Sequence, residues 1–246
     1  MNSCLNTLKN AATTTFLFAA MISTALAGPL ETQVFEPSVQ IGNYCSGEII
    51  SSEREPVSGD VATIVLTAKH CVLDEKGPVE VNKAVYDEQN RKTGVKTYIA
   101  DVLGKSFKSD LAVLRLRDKD ALFMQTASVA PKDMKLSFGQ DVAVVGYPLG
   151  GSMTYTKGSL GYVEEGMFGD ISKSKQFYRA TPDIAPGSSG SSMFTQTETG
   201  EYVIIGITTG GFRGVTFMNF FTPIEEIHDY LDVAKKTFAW PLDKKE

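Results

Sequence analysis

The chain has 246 residues, 42% apolar, 22% charged and 10% aromatic, which excludes a disordered polymer, a collagen and a polytopic membrane protein. Its 24 Lys and Arg against 29 Asp and Glu leave a net charge of −5, which argues against nucleic acid as a partner because the phosphates require a basic face. The length allows two modest domains or one large all-β unit, and three cysteines are an odd count for a secreted protein.

Residues 1–27 read as a secretory leader. Lys9 is the single charged residue among them, Ala11–Ile22 is apolar or threonine-rich, and Ala25-Leu26-Ala27 closes the stretch. A short basic start, an apolar run of about 7–15 residues and an Ala-x-Ala end mark a signal peptide, and the run is too short for a stable transmembrane helix. A buried N-terminal helix is the competing reading. Cleavage near Ala27 would release the chain to the periplasm or the medium, with no stable membrane anchor, and would remove Cys4. Cys45 and Cys71 would remain, an even pair in an oxidising compartment. A bridge between them would close a loop of about 27 residues, worth ~3–4 kcal/mol in the chain-entropy model. Two buried free thiols are the alternative.

Beyond the leader, short runs rich in Val, Ile, Tyr, Phe and Thr recur. Strands are expected at Tyr44–Ile50, Val61–Thr67, Val79–Tyr86, Val95–Leu103 and Leu111–Leu116. A second group is expected at Asp141–Tyr147, Met153–Val163, Gln176–Thr181, Ser191–Thr195, Tyr202–Thr208 and Thr216–Thr222. Such strands with turn residues between them predict an all-β sandwich or barrels. The charged stretch between the groups, which carries Pro131 and shows no alternation, reads as the connection. One helix is predicted at the end. Pro223 can begin it, Ile224, Ile227, His228, Tyr230 and Leu231 fall at helical spacing, and Glu225–Glu226 and Lys235–Lys236 suit its dipole.

Three pieces of the sequence bear on chemistry. His70 follows a strand inside Thr67-Ala68-Lys69-His70-Cys71; a histidine held rigidly there suits a general base. Alone it reads as structural, as does the other histidine, His228. Asp110 opens a strand, and its carboxylate could fix the tautomer of an imidazole; alone it reads as a turn aspartate. Pro186-Gly187-Ser188-Ser189-Gly190-Ser191 can expose a hydroxyl and aim backbone N–H groups inward, as an oxyanion hole requires. Alone it reads as a loop.

Together, in the order His, Asp, Ser, these segments resemble the trypsin/chymotrypsin-like serine peptidases. Thr67–Cys71 is similar to the family's T-A-A-H-C, Asp110–Leu114 to its D-I-A-L-L and Gly187–Ser192 to its G-D-S-G-G-P. Cys45 and Cys71 match the disulfide the family places behind its catalytic histidine. The likeness runs from about residue 38 to 232. It implies two packed six-stranded antiparallel β-barrels with a C-terminal α-helix, the chymotrypsin-like fold. The first barrel would span about 38–117, the linker 118–138, the second barrel 139–222 and the helix 223–237, all within a peptidase domain of residues 28–246. It implies His70 as base then acid, Asp110 as its orienter, Ser189 as nucleophile, and the amides of Gly187 and Ser189 as the oxyanion hole. Ser188 is the alternative nucleophile. The implied partner is a polypeptide substrate on a monomeric enzyme that needs no cofactor or metal.

The chain also departs from the digestive enzymes. Ser188 stands where they have an Asp that pairs with a newly cut N-terminus, so no trypsin-type activation is expected. Gly139–Gly150 looks more like the bacterial HtrA-type and glutamyl-endopeptidase branches, with no room for a PDZ domain after residue 240. Asp183, six residues before Ser189, would select Arg or Lys if it were buried at the base of the primary pocket. Thr209 and Gly211 lie in the segment resembling the strand that binds substrate backbone. Asn219 falls where the pocket wall usually has Gly and would favour small residues, opposing the Asp183 hint. Three other readings compete: a catalytically inactive homologue that binds or scaffolds, a metal site from Cys45, Cys71 and His70 that lacks a fourth ligand, and a Ser–Lys pair at Ser172-x-x-Lys175.

Overall fold

The computed structural model describes residues 28–238, except 75–76, 90, 166–175 and 213 and the side chains of 164–165. The expected leader and the Ser172–Lys175 pair lie outside the described residues. Among the described residues, twelve of thirteen strands form two closed six-stranded barrels. The first contains β1 (Ser38–Ile41), β2 (Cys45–Arg54), β3 (Val61–Thr67), β4 (Val79–Tyr86), β5 (Lys92–Lys105) and β6 (Ala112–Leu116). They pair antiparallel in the order β1-β2-β3-β6-β5-β4, and β1 closes on β4 through Gln40 opposite Asn82 and Ile41 opposite Val81.

After β7 (Ser128–Val129), the second barrel takes β8 (Asp141–Gly146), β9 (Thr154–Glu165), β10 (Gln176–Ala180), β11 (Ser192–Gln196), β12 (Tyr202–Gly211) and β13 (Asn219–Pro223). Its order is β11-β8-β9-β10-β13-β12, and β11 pairs with β12 to close it. The short β7 adds to β12 in parallel. Helix α1 (Ile224–Thr237) ends the described chain. Its buried face carries Ile224, Ile227, Tyr230, Leu231 and Ala234 at helical spacing, with acids in the first turn and lysines in the last. Pro223 lies outside the helix and ends β13 in extended conformation, at φ −73° and ψ 163°.

Closure of each barrel follows from strand patterns that put apolar side chains inward. Every residue of β3 is buried, because one side fills the barrel and the other meets the second barrel. Val39, Ile49, Val65, Val81 and Leu114 fill the first barrel; Val144, Met193, Ile205 and Phe221 fill the second. A third cluster joins them. In it Ile64, Leu66 and Val113 of the first barrel meet Phe194, Ile204 and Ile207 of the second, with Ile227 and Leu231 of α1 and Val34 of the N-terminal segment. Each large apolar side chain fully buried in this seam is worth ~1.5–3 kcal/mol, so the two barrels behave as one packed body.

β1, β7 and the helical turn at Glu31–Phe35 lie where no element was expected. Four and two residues are too few for alternation to show. Thr216–Met218 were expected in the last strand but precede β13, because the Asn219 side chain folds back onto the Thr216 carbonyl at 2.8 Å.

On the face of β2 turned away from the barrel interior, Glu48 is wholly buried opposite Ser38, whose Oγ donates to Glu48 Oε1 at 2.8 Å. Burial holds this carboxyl well above the usual carboxylate range, against the opposing pull of the Ser38 hydroxyl and the Lys83 charge. An acid raised in the folded state takes up a proton on folding, so its cost is absent below the unfolded pKa and grows as pH rises toward the folded one. Glu48→Gln is therefore expected to melt above wild type at pH 8, by about 2–4 °C for each kcal/mol relieved. The advantage should fade toward pH 4. Thermal melts across that range check it.

Candidate active site

The register of β3 against β6 sets Thr67 opposite Ala112. The residues just beyond each strand end, His70 and Asp110, therefore meet. His70 sits in a 3-10 turn, Lys69–Val72. Its backbone N–H donates to Asp110 Oδ1 at 2.9 Å, and its Nδ1 lies 2.7 Å from Oδ2. The carboxylate is fully buried while the imidazole keeps 21% of its side-chain surface. With Nδ1–H donating to Asp110, Nε2 is left free as a proton acceptor.

The loop before β6 is held on both sides. Lys69 Nζ donates to Ser106 O at 3.2 Å. Ser109 Oγ donates to Glu226 Oε2 of α1.

The serine loop is pressed against the first barrel. Ser46 N–H donates to Ser189 O at 2.8 Å. Ser46 Oγ donates to Gly187 O at 2.8 Å and accepts the Tyr147 N–H at 2.8 Å. Cys45 is bridged to Cys71 with Cα atoms 5.9 Å apart, and Cys71 Sγ lies 3.5 Å from Ser189 O. The disulfide and Ser46 thus bring the His70 turn and the Ser189 loop to one place. The loop can come this close only with glycine. At Gly190 (φ +81°) a Cβ would stand 2.3 Å from Thr67 Oγ1 and 2.4 Å from Ser46 O.

Within the loop, Ser188 N–H bonds Ala185 O, Gly190 N–H bonds Thr208 O and Ser191 N–H bonds Ser188 O, at 2.9, 2.9 and 3.0 Å. Among the described residues the N–H groups of Gly187 and Ser189, and the Ser189 hydroxyl, have no hydrogen-bond partner in the protein. Two adjacent free donors beside a free hydroxyl can receive a carbonyl oxygen and attack its carbon. Ser188 is buried, and its Oγ accepts the Ala185 N–H at 3.2 Å. It closes its own turn behind the loop, facing a cavity of about 180 Å³.

The expected specificity residues are placed differently from one another. Asp183 is exposed, with its carbonyl accepting Thr156 Oγ1 at 2.8 Å. The buried carboxylate that a basic preference would need is absent there, because the Thr181–Asp183 turn carries the side chain outward. Asn219 is buried, and its Nδ2 donates to Pro182 O and Thr216 O at 2.7 and 2.8 Å. Its Oδ1 lies 2.5 Å from where a Cβ on Gly211 would stand, so it occupies the space between β13 and the end of β12. Gly211 is exposed, while Thr209 is buried with Oγ1 2.9 Å from Thr222 Oγ1. His228 is structural, its Nε2 donating to Ala130 O at 2.7 Å. Donor atoms of Cys45, His70 and Cys71 lie within 4.8 Å of one another, but the two sulfurs are bonded together and offer no thiolate to a metal.

The family model of the trypsin-like peptidase domain matches residues 45–207. The chain belongs to that family. It is a peptidase, a hydrolase of peptide bonds. The fold is shared with Rv3671c of M. tuberculosis, solved as a mutant in an inactive form (20% identity, 85% of this chain, 90% of that one, TM-score 0.58). It is also shared with AlgW, an HtrA-type protease solved with a tripeptide (19%, 83% and 61%, TM-score 0.60). Deg5 is similar again (19%, 85% and 93%, TM-score 0.60). At these identities the likeness is one of fold. No curated protein matches the chain.

Tyr147 and the segment after it lie in the Gly139–Gly150 likeness and Ser46 in an expected strand, but no role in the site was expected of any of them. Ser46 reaches Gly187 across 141 positions of sequence, and nothing local to a serine announces such a contact. Ser46→Ala would leave the Gly187 carbonyl and the Tyr147 N–H unmet in a buried place. A lost partner of this kind costs about 1–3 kcal/mol. The variant is expected to melt lower by about 2–4 °C per kcal/mol, and an unchanged melt would refute the bridge.

Proposed function

We propose that the chain is a secreted serine endopeptidase acting through His70, Asp110 and Ser189. The observation that carries this reading is the two-point grip of His70 on Asp110 beside the pinned loop of Ser189. Serine is a poor nucleophile until a base takes its proton. His70 Nε2 accepts that proton as Ser189 Oγ attacks the substrate carbonyl. The developing oxyanion is received by the Gly187 and Ser189 N–H groups. Asp110 stays ionised and stabilises the imidazolium. His70 then protonates the departing amine, which leaves an acyl-enzyme, and a water activated by the same imidazole hydrolyses it.

Ser188 supports activity without a newly cut N-terminus, since its hydroxyl is already satisfied inside the loop. Export is supported by the leader-like residues 1–27 and by the disulfide. No described helix is long and apolar enough to cross a membrane. Buried Asn219 favours a small side chain before the scissile bond, with the substrate backbone laid along the Thr209–Gly211 end of β12. The enzyme acts on polypeptides as a monomer.

An active-site-directed fluorophosphonate is expected to label wild type and to leave Ser189→Ala unlabelled. An unlabelled wild type would overturn the enzyme in favour of an inactive binding homologue. Asn219→Gly is expected to raise kcat/KM for Leu or Phe before the scissile bond, relative to Ala, by about tenfold or more. A peptide-library cleavage profile of both proteins reads it.

A further inference from the structure

The oxyanion role proposed for Gly187 requires its N–H to face the cleft. A trans peptide carries its N–H and C=O on opposite sides. Whatever holds the Pro186 carbonyl therefore decides where the Gly187 N–H points. Leu149 N–H holds it, at 2.5 Å.

That donor comes from an unusual backbone. Leu149 has φ +57° and ψ 20°, and it is the single non-glycine residue with positive φ among the described residues. The left-handed region disfavours leucine because its Cβ crowds the following carbonyl. Side-chain packing does not explain the conformation, since Leu149 is 79% exposed. Backbone contacts do. Gly150 N–H bonds Tyr147 O and Gly151 N–H bonds Pro148 O, at 3.1 and 3.0 Å. Gln40 Nε2 donates to Gly150 O at 3.3 Å, and Asn43 O closes on Gly150 so tightly that a Cβ there would lie 2.4 Å away. Tyr147 is tied to Ser46. At Gly187 (φ +100°) a Cβ would lie 2.6 Å from Tyr147 O and 2.7 Å from Leu149 N. The segment therefore bears directly on the oxyanion loop and is itself braced by β1, β2 and the turn between them.

We propose that Leu149 is a positioning residue: its left-handed backbone latches the Pro186–Gly187 peptide with the Gly187 N–H toward the cleft. The first barrel thereby presets the oxyanion hole, a task that needs no charge and no chain cleavage. The inactive alternative is the flipped peptide, with the Pro186 carbonyl in the cleft and Leu149 relaxed to a right-handed backbone. The proposal rests on the serine peptidase reading.

Three variants at one position test it. Leu149→Val opposes the left-handed region through its branched Cβ. It is expected to lower kcat by about 10–100-fold, somewhat less than removing an oxyanion donor outright, with KM within about twofold. Leu149→Gly, to which that region is open, is expected to recover most of the rate. Replacing Leu149 by its α-hydroxy analogue deletes the N–H, weakens the Pro148 carbonyl as acceptor for Gly151 and leaves the side chain in place; it is expected to match Leu149→Val, which covers the case of a valine variant that fails to fold. The affinity of a peptide trifluoromethyl ketone, which forms an oxyanion on Ser189, should fall by the same factor as kcat/KM. Full rates in the valine and ester proteins would overturn the latch, as would a glycine variant as slow as the valine one. Fluorophosphonate labelling of wild type separates the two levels. If wild type is labelled and these outcomes fail, the latch alone falls; if it is unlabelled, the peptidase reading falls and the latch with it.

Discussion

The cleft depends on the first two residues of β2. Cys45 is bonded to the residue after His70, and Ser46 engages the serine loop through both its N–H and its Oγ. A site divided between two barrels has no covalent reason to hold its geometry. The proposed base and nucleophile come from barrels that pack rather than pair. A hydrogen bond from Ser46 to Ser189 O, another to Gly187 O and a disulfide beside His70 supply what packing alone does not, which is direction. The apolar seam of Ile64, Leu66, Phe194 and Ile207 supplies the stiffness beneath it, because a close-packed interior yields little. Direction from polar contacts and stiffness from apolar ones together meet the tolerance that catalytic groups require.

The loop that would stabilise negative charge is itself built without charged side chains. Its turn is closed by backbone bonds and by Ser188 Oγ on the Ala185 N–H. A buried ion pair in that place would bring a desolvation cost that its attraction must offset. A hydroxyl brings far less. Glycine completes the economy at Gly187 and Gly190, where neighbouring backbone stands too close for any side chain. Glu48 differs from that pattern in the first barrel, a buried acid whose carboxyl burial holds well above the usual carboxylate range, and it lies two residues beyond Ser46 on the same face of β2.

Much of this was legible in the amino-acid order. β3 and β4 fall at the residues where alternation and β-branched composition put them, and the helix face reads directly from Ile224, Ile227, Tyr230 and Leu231. The neighbourhood of His70, Asp110 and the Gly187–Ser192 loop was legible too, because each lies in a short segment whose residue types are constrained together. Elements of two to five residues were not, since β1, β7 and the Glu31–Phe35 turn owe their form to the strands they meet. Asp183 misled for a related reason. Counting back from Ser189 fixes a position along the chain, while the path of the turn fixes which way the side chain faces. The contacts of Ser46, Tyr147 and Leu149 were beyond reach altogether. Ser46 joins segments 141 and 101 positions away, Leu149 meets Pro186 from a separate turn, and a leucine in the left-handed region carries no mark in its own identity.

The two barrels divide the chemistry unevenly. His70 and Asp110 both belong to the first, so the proposed base and its orienter keep their geometry together. Ser189 and the two free N–H groups belong to one loop of the second, so the proposed nucleophile and oxyanion donors also move together. The single degree of freedom that matters is the distance between these two rigid halves. Above the apolar seam, the polar and close contacts that set it, from Ser46, Cys71 and Thr67 outward to Gln40 and Asn43, are made by the first barrel on the serine loop or on the segment behind it. The first barrel is therefore the reference body of the site. The second barrel can vary its outer strands and its Asn219 wall, and with them the choice of substrate, without disturbing the attack.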